Sequence, residues 1–524
     1  GPDGMPMMGP DGQPAMGPDG QPAMGPDGRP AMGPDSQEQK GPQEAQGADG
    51  IKQQGPVPNT AFVSNLRPQQ AIFNLNRSDI RATNQAIQTL NIPSLQGKST
   101  PTPEALQASI NAAKQRFTSG SSFLSHFVKD KILVASSSPI STSSSSAPKF
   151  NRKNYNPAVL HIRFTRAAGK TTSQNKDAIL DLTLIPSEGE IEGRRIEISI
   201  SEFSNQLKQL YSQLSRQQSL NITNPEAPTR LLHDSIFGSM MPLFEKNKIT
   251  TLLISADRGL QAIPFAALHD GESYFGDRYA FSITPSLALT NLDIPIDRNS
   301  RLLALGASKF NQLAPLPLVP QELEKIGNNS TKDLYLDNEF TPSTFFEKAI
   351  QPRYSRIHLA THAEFKPGGP SASKLYSGTE AISLDQLSIL RKGRQGLPLD
   401  LVVFSACRTA LGDPDTELGF SGLALQAGAR SAVGTLWYVD DVMTSAYFVQ
   451  MYNYLEQDIP KAEALQLTRQ SFQRGLVSLQ GDQLISPEGT ILLNGLNNIQ
   501  KRRVQSGLEN PYFWAGIELM GSPW

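Results

Sequence analysis

The chain has 524 residues, a single cysteine, and 48 basic against 49 acidic residues, which gives a formal net charge of −1 at pH 7. One cysteine excludes an internal disulfide, and the balanced charge gives no general reason to expect a nucleic acid or an anionic membrane as a partner. The sequence contains no run of 18 apolar residues and its start lacks the pattern of a signal segment, so no membrane span is predicted.

The first 57 residues predict a disordered spacer. Residues 1–36 repeat an eight-residue unit, as in GPDGMPMM, GPDGQPAM and GPDGRPAM. Each proline removes a backbone donor and each glycine raises the entropy cost of ordering. No face collects enough apolar area to offset that cost, so a folded structure is not expected here.

Two further segments precede the first predicted strand. Residues 58–135 predict a helical region, since TPEALQASINAAKQRF combines a capping residue and an early proline with helix-forming residues. Residues 136–154 are rich in serine and predict a flexible linker.

From residue 157 onward, short apolar runs alternate with segments of helix length. The runs with strand character are AVLHIRFT, AILDLTLIP, RRIEISI, ITTLLISAD, RLLALGAS, RIHLATHA, DLVVFSAC and SAVGTLW. Segments such as SEFSNQLKQLYSQL and RLLHDSIFGSMMPLFEKN predict helices between them. This alternation predicts an α/β fold with a mainly parallel central sheet flanked by helices.

Two of these runs end in residues that can carry out chemistry. RIHLA is followed by THA with His362, and DLVVF is followed by SAC with Cys407. Because reactive groups gather beyond the carboxyl ends of strands in such sheets, we expect the imidazole and the thiol at the same edge. A cysteine nucleophile needs an imidazole to form or hold its thiolate. The alternative is that Cys407 is an inert buried cysteine, as a lone thiol usually is.

The other histidines have less suitable positions. His161 and His358 fall within predicted strands and are expected in the core, whereas His269 falls in a turn and is expected to be exposed. The sequence has neither a cluster of metal ligands nor a glycine-rich phosphate loop after a strand. It therefore predicts no metal and no cofactor.

Several longer segments resemble the CHAT family, which belongs to the wider caspase, gingipain and separase group of cysteine peptidases. They are TLLISADRGLQAIPFAALHDGESYFGDRYAFSITPSLALT, ATHAEF, VVFSACRTALG, GFSGLALQAGARSAVGTLWYVDD and PYFWAGIELMG, in this order. The resemblance covers roughly residues 155–524. It implies a caspase-like fold, with a degenerate caspase-like lobe at 155–300 before the catalytic half at 301–524. The tetratricopeptide array that many relatives carry is not obvious here.

By this resemblance, the chain is a cysteine endopeptidase that works through an acyl-enzyme, with Cys407 as nucleophile and His362 as general acid–base. The backbone N–H groups of Cys407 and Ala363 would stabilise the oxyanion. The family usually has glycine where this chain has Ala363, and an alanine resists positive φ. The alternative function is a catalytically silent domain that keeps the fold and acts as a binding or signalling module.

The segment after GTLW resembles the strand and loop that line the first specificity pocket of caspase-like enzymes. It contains Trp437, Asp440 and Asp441. A carboxylate in that pocket would bind a guanidinium or an ammonium, so we predict cleavage after Arg or Lys, with Asp441 favoured over Asp440. The alternatives are that Asp440 caps the following helix and that Trp437 is a core residue.

Loop-like segments after His362 and Cys407 lead us to predict self-processing. The candidate cleavage points are Lys366, Lys374, Arg391, Lys392 and Arg394. The expected partner is a protein or peptide with a basic residue before the scissile bond, and the sequence identifies no regulatory partner. The chain would suit the bacterial cytoplasm or export after removal of a leader.

Overall fold

A computed structural model describes residues 149–166, 176–187, 190–257, 260–284, 287, 290, 301–327, 331–364, 371, 373–394, 399–406, 419–437 and 440–524. The predicted spacer at 1–57, the predicted helical region at 58–135 and most of the Ser-rich linker lie outside these described residues. Cys407 lies outside them as well.

The described part of the chain contains seventeen strands. In chain order they are β1 Pro157–Arg166, β2 Ala178–Pro186, β3 Glu192–Ile198, β4 Thr251–Ala256, β5 Ala280–Thr284, β6 Arg301–Gly306, β7 Lys332–Leu336, β8 Tyr354–Ala360, β9 Ala363–Glu364, β10 Lys374–Tyr376, β11 Ala381–Ser383, β12 Leu399–Ser405, β13 Ala429–Thr435, β14 Ser478–Gln480, β15 Gln483–Ile485, β16 Ile491–Leu493 and β17 Ile517–Gly521.

One large sheet organises the fold. Its strand order is β3-β2-β1-β4-β5-β17-β13-β12-β8-β6-β7, and seven of the ten neighbouring pairs are parallel. Two small three-stranded sheets, β11-β10-β9 and β14-β15-β16, lie outside it. The mainly parallel α/β architecture predicted from the sequence is therefore confirmed.

The burial of each strand follows its place in the sheet. β4 and β13 are buried at every position, as expected of central parallel strands covered on both faces. β2 alternates buried and half-buried residues along most of its length. In the edge strand β3, four of the seven residues are exposed, and they are charged or glycine. Charged side chains on an edge oppose unwanted pairing with another strand.

The last strand, β17, lies in the middle of the sheet and joins its two halves. β17 is antiparallel to β13 on one side and parallel to β5 on the other. The sheet therefore continues across the boundary predicted between residues 300 and 301. The division into a degenerate lobe and a catalytic half stays a prediction.

Helices cover the sheet. Among the described residues they are α1 Ile200–Ser215, α2 Pro228–His233, α3 Met241–Lys246, α4 Phe275–Arg278, α5 Val319–Lys325, α6 Pro342–Ala349, α7 Ser388–Arg394, α8 Gly419–Gln426, α9 Asp441–Leu455, α10 Lys461–Gln473 and α11 Asn498–Gln505. Thirteen of the fifteen residues of α9 are buried, so this helix lies in the interior. A helix with apolar residues on all sides is stable only where all its faces are covered by other parts of the protein.

Two local predictions differ from the structure. The segment read as one helix from residue 230 onward forms α2, a π-helical turn at Asp234–Gly238 and then α3, with Pro242 in the first turn of α3. His269, predicted to be exposed, is only 2% exposed. Its Nδ1 accepts a hydrogen bond from Gly271 N–H at 2.8 Å and its ring lies edge-on to Tyr274, so the turn folds inward.

Candidate functional site

Two neighbouring strands bring the predicted catalytic segments to one edge of the sheet. β8 and β12 are parallel, and Ala360 faces Ser405 in their register. Beyond this pair, Thr361 N–H donates to Ser405 O at 3.2 Å. In the sequence, His362 and Cys407 each follow one of the paired residues by two positions. Adjacent strands lie about 4.8 Å apart, so the two segments leave the sheet side by side, one after Ala360 and the other after Ser405.

The described end of the cysteine segment is held in place. Ala406, the residue before Cys407, is buried, and its carbonyl accepts a hydrogen bond from Thr435 Oγ1 at 2.8 Å. Thr435 is the last residue of β13, the strand on the other side of β12. The position of the thiol itself lies outside the described residues and stays a prediction.

His362 has a defined tautomer. Its Nε2 lies 2.8 Å from the Ala314 carbonyl oxygen, and its ring lies against Phe310 with 4.8 Å between centroids. Because a carbonyl can only accept, Nε2 must carry the proton, and in the neutral ring the lone pair is then on Nδ1. Burial lowers the pKa of His362, against a smaller opposing effect of the Ala314 hydrogen bond. The imidazole is therefore mainly neutral at pH 7, as a general base must be.

Neither of the two groups that contact the His362 ring was predicted from the sequence. Phe310 and Ala314 lie in the segment between β6 and α5, which reads ASKFNQLAPLPL. One feature of the sequence could have indicated them. This proline-rich segment follows the carboxyl end of a predicted strand, as His362 does, so both are expected at the same end of a parallel sheet.

Ala363 adopts an extended backbone conformation in β9 and does not have positive φ. Tyr376 N–H donates to His362 O at 3.0 Å, so these two residues form a hydrogen-bonded antiparallel pair. The next pair, Ala363 with Leu375, is then non-hydrogen-bonded, and the Ala363 N–H points away from β10. A glycine is therefore not required at this position for conformational reasons.

Asp440 caps α9. Its Oδ1 accepts from Val442 N–H at 3.1 Å and from Met443 N–H at 3.2 Å, while its Oδ2 accepts from Arg503 Nε at 2.7 Å. The capping alternative is thus confirmed, and both carboxylate oxygens have protein partners. A role for Asp440 in binding substrate stays a prediction.

Asp441 is half-buried at the first position of α9. Burial raises its pKa to about 7, and the negative charges of Glu322 and Asp440 act in the same direction. A hydrogen bond from the backbone N–H of Leu318 partly offsets this effect. Asp441 therefore changes charge near neutral pH, although its role in specificity stays a prediction.

Trp437 lies in the interior. It is 3% exposed, and its Nε1 donates to Tyr512 O at 2.9 Å. Its ring lies edge-on to Tyr211 of α1, with 5.9 Å between centroids. These contacts agree with the core alternative, and a role as a pocket wall stays a prediction.

A buried polar network lies close to Asp441. Glu322 of α5 is 1% exposed; its Oε1 lies 2.9 Å from His358 Nε2 and its Oε2 accepts from Ser445 Oγ at 2.7 Å. The network therefore joins α5, β8 and α9. His358 is fully buried, as predicted, but its carboxylate partner could not be identified from the sequence.

The described part of the chain has neither a cluster of metal ligands nor a membrane-spanning helix. It contains no group of three or more His, Cys, Asp or Glu side chains arranged to hold a metal ion. None of its helices is both long enough and apolar enough to cross a membrane.

Comparison with known proteins places most of the chain in one family. The family model of the CHAT domain matches residues 206–522. No curated protein matches the sequence.

The solved structures to which the chain is similar include a separase and a gingipain. The Saccharomyces cerevisiae separase–securin complex is 10% identical, with 87% of this chain and 34% of that chain covered and a TM-score of 0.44. The Arg-specific cysteine proteinase gingipain R is 11% identical, with 55% and 67% covered and a TM-score of 0.35. The chain thus spans about a third of the length of the separase chain that it matches.

Proposed function

The chain belongs to the CHAT family, and on this premise we propose that it is a cysteine endopeptidase with Cys407 as nucleophile and His362 as general base. The observation that best supports the proposal is the state of His362. Its Nε2–H is bonded to the Ala314 carbonyl, which leaves the lone pair on Nδ1 at the edge of the sheet where the chain continues to Cys407.

The reaction follows from this arrangement. Nδ1 of His362 takes the proton of the Cys407 thiol, and the sulfur attacks the carbonyl carbon of the scissile peptide bond. The tetrahedral intermediate collapses when the C–N bond breaks and His362 gives its proton to the leaving amine. A water molecule then transfers a proton to His362 as its oxygen attacks the thioester carbon. The C–S bond breaks, and the leaving sulfur takes the proton back from His362. The products are a free carboxylic acid and regenerated Cys407.

Ala363 supports the oxyanion in this proposal. The negative charge that forms on the carbonyl oxygen needs N–H donors that are already in place. The Ala363 N–H points away from β10 and is one residue after His362, and the Cys407 N–H would be the second donor. Loss of one such donor typically lowers kcat by about 10²–10³-fold.

Specificity for a basic residue is the second part of the proposal. Both oxygens of Asp440 have protein partners, whereas the structure gives Asp441 one backbone donor. Among the described residues, Asp441 is therefore the better candidate to bind a substrate guanidinium or ammonium. Such a cation would stabilise the ionised carboxylate, which burial alone disfavours.

We expect the ionisation of Asp441 to govern the preference for arginine. With a pKa of about 7, only about a tenth of the carboxyl is ionised at pH 6. The KM for an arginine peptide should therefore rise about tenfold between pH 8 and pH 6. A matched peptide with citrulline, the neutral isostere, should show no such rise. Asp441→Asn should make the two peptides equivalent; a preference for arginine that survives in this variant would exclude Asp441 from the pocket.

The nucleophile is tested with a fluorogenic peptide panel that varies the residue before the scissile bond. Wild-type protein should cleave the arginine and lysine peptides, and Cys407→Ala should not. Turnover that persists in Cys407→Ala would eliminate the proposed nucleophile. A wild-type protein without turnover on any peptide or protein substrate would favour the catalytically silent binding module.

Incubation of the same two proteins tests self-processing. Among the candidate cleavage points, Lys392 is exposed, whereas Arg394 is 2% exposed and its guanidinium donates to the carbonyls of Ala349 and Tyr354. Cleavage after Lys392 needs less local unfolding and is expected before cleavage after Arg394. Fragments should form in wild-type protein and not in Cys407→Ala. A single intact wild-type band after prolonged incubation would refute self-processing.

A further inference from the structure

A proline-rich loop carries the two groups that contact the His362 ring. This loop, residues 307–318, joins β6 to α5, and its tip at residues 311–315 is exposed. The Phe310 ring and the Ala314 carbonyl make the two contacts. Since the tip is exposed, the place of the Ala314 carbonyl depends on how the base of the loop is held.

The base of the 307–318 loop is held by the carboxylate of Asp337. Its Oδ1 accepts from Ser308 N–H at 2.7 Å, from Ser308 Oγ at 2.9 Å and from Lys309 N–H at 3.3 Å. Ser308 is 5% exposed, so its two bonds to Asp337 are partly shielded from water. The nearby Lys309 ammonium, 3.8 Å from Oδ2 and 85% exposed, contributes little.

The backbone transmits this restraint to His362. The Ser308 carbonyl accepts from Leu316 N–H at 2.9 Å, which closes the base of the loop. Pro315 lies between Ala314 and Leu316. Proline fixes its own φ and restricts the residue before it, which limits how far Ala314 can move independently of Leu316. A shift of Ser308 would therefore displace the carbonyl that orients the imidazole.

Asp337 also supports the other side of His362. The φ of Asp337 is +50°. Its carbonyl oxygen lies so close to Gly378 that a side chain at position 378 would clash with it, since the Cβ would be only 1.8 Å from this oxygen. Gly378 follows Tyr376 by two residues, and Tyr376 N–H donates to the His362 carbonyl. The side chain of Asp337 thus supports the imidazole, while its backbone contacts the turn that follows β10, the strand bonded to the His362 main chain.

We propose that Asp337 is a positioning residue for His362, acting through the 307–318 loop and the Gly378 turn. The inference rests on the proposed function in that it takes His362 as the general base. The carboxylate keeps the Ala314 carbonyl on Nε2, and this bond keeps the lone pair on Nδ1. Without it the ring can rotate or change tautomer, and fewer molecules have the base in a productive state.

Two substitutions of Asp337 distinguish the effect of its carboxylate from the effect of its backbone conformation. Glycine and asparagine both tolerate φ near +50°, but only asparagine keeps an oxygen that can accept from Ser308 and Lys309. Asp337→Gly should lower kcat by about tenfold to a hundredfold with little change in KM, and Asp337→Asn should restore most of the loss. Glu339→Gln, which changes an exposed carboxyl in the same turn, is the control and should have wild-type kcat.

Nitrogen-15 NMR of the histidine side chains gives a readout that needs no turnover. The full chain carrying Cys407→Ala should show the Nε2–H tautomer for His362, assigned by its absence in His362→Gln. Adding Asp337→Gly should shift this signal toward a tautomer mixture and change its titration midpoint, and adding Asp337→Asn should not. Ser308→Ala removes one bond to Asp337 and should produce a smaller shift, so a readout remains if Asp337→Gly does not fold.

The outcomes distinguish this inference from the proposed function. An unchanged His362 tautomer and midpoint in folded Asp337→Gly would overturn the positioning role, whatever the activity. A shifted His362 signal in a protein whose wild type cleaves no peptide would refute the peptidase proposal and leave the positioning role intact. Equal loss of kcat in Asp337→Gly and Glu339→Gln would also overturn the positioning role.

Discussion

His362→Gln should lower kcat by about 10³–10⁴-fold while leaving the thermal unfolding midpoint close to that of the wild type. The glutamine amide can still donate to the Ala314 carbonyl, so the loop contact is partly kept. It cannot accept the thiol proton at neutral pH, so the thiolate is not formed. A His362→Gln variant that is folded but nearly inactive would therefore show that His362 acts in proton transfer and is not needed for stability.

The pH dependence of wild-type kcat is a second test of His362 as the general base. Burial lowers the pKa of His362, so the neutral ring persists to more acidic pH than in an exposed histidine. The acid limb of kcat should thus fall below pH 6.5, the ordinary value for histidine. Measurement at saturating substrate limits the influence of Asp441, which acts on substrate binding in our proposal.

The matched control is His161→Gln in β1, where the half-buried ring lies on a strand of the opposite part of the sheet. Its kcat should remain within about twofold of the wild type, as expected for a change away from the reacting groups. Comparable loss in His161→Gln, or substantial activity in His362→Gln, would contradict the assignment of the base.

The sequence was most informative where the chain forms long regular elements. Continuous apolar runs predicted β8 and β12, and the rule that reactive groups follow strand ends selected His362 and Cys407. These predictions need only local periodicity and the general topology of a parallel sheet. The structure confirms the strands and their pairing, whereas the position of the thiol stays a prediction.

Contacts made by irregular or very short segments could not be predicted. β9 has two residues and β10 has three, which is too short for any periodic pattern. The bonds from Ala314 to His362 and from Asp337 to Ser308 join residues 48 and 29 positions apart through loop backbone. Such contacts depend on how several elements pack together, so they cannot be predicted from the secondary-structure propensities or the residue spacing of the sequence.

Glu322→Ala should destabilise the protein by about 3–5 kcal/mol, the largest stability effect that we expect near the site. The carboxylate is buried, and it bonds His358 and Ser445 on two other elements. Alanine would leave both groups buried without this partner and would also create a cavity. Urea unfolding should show the loss as a lower midpoint with a similar slope.

Glu324→Ala is the natural control, because Glu324 lies on the same helix α5 two residues later and is exposed. It should change stability by less than about 0.5 kcal/mol. Glu322→Gln should fall between the two, since an amide keeps one acceptor oxygen for Ser445 or His358 but not the charge. Equal midpoints for Glu322→Ala and Glu324→Ala would show that the network does not hold α5 against β8 and α9. The 307–318 loop, which ends where α5 begins, would then need another source of rigidity for the Ala314 carbonyl to orient His362.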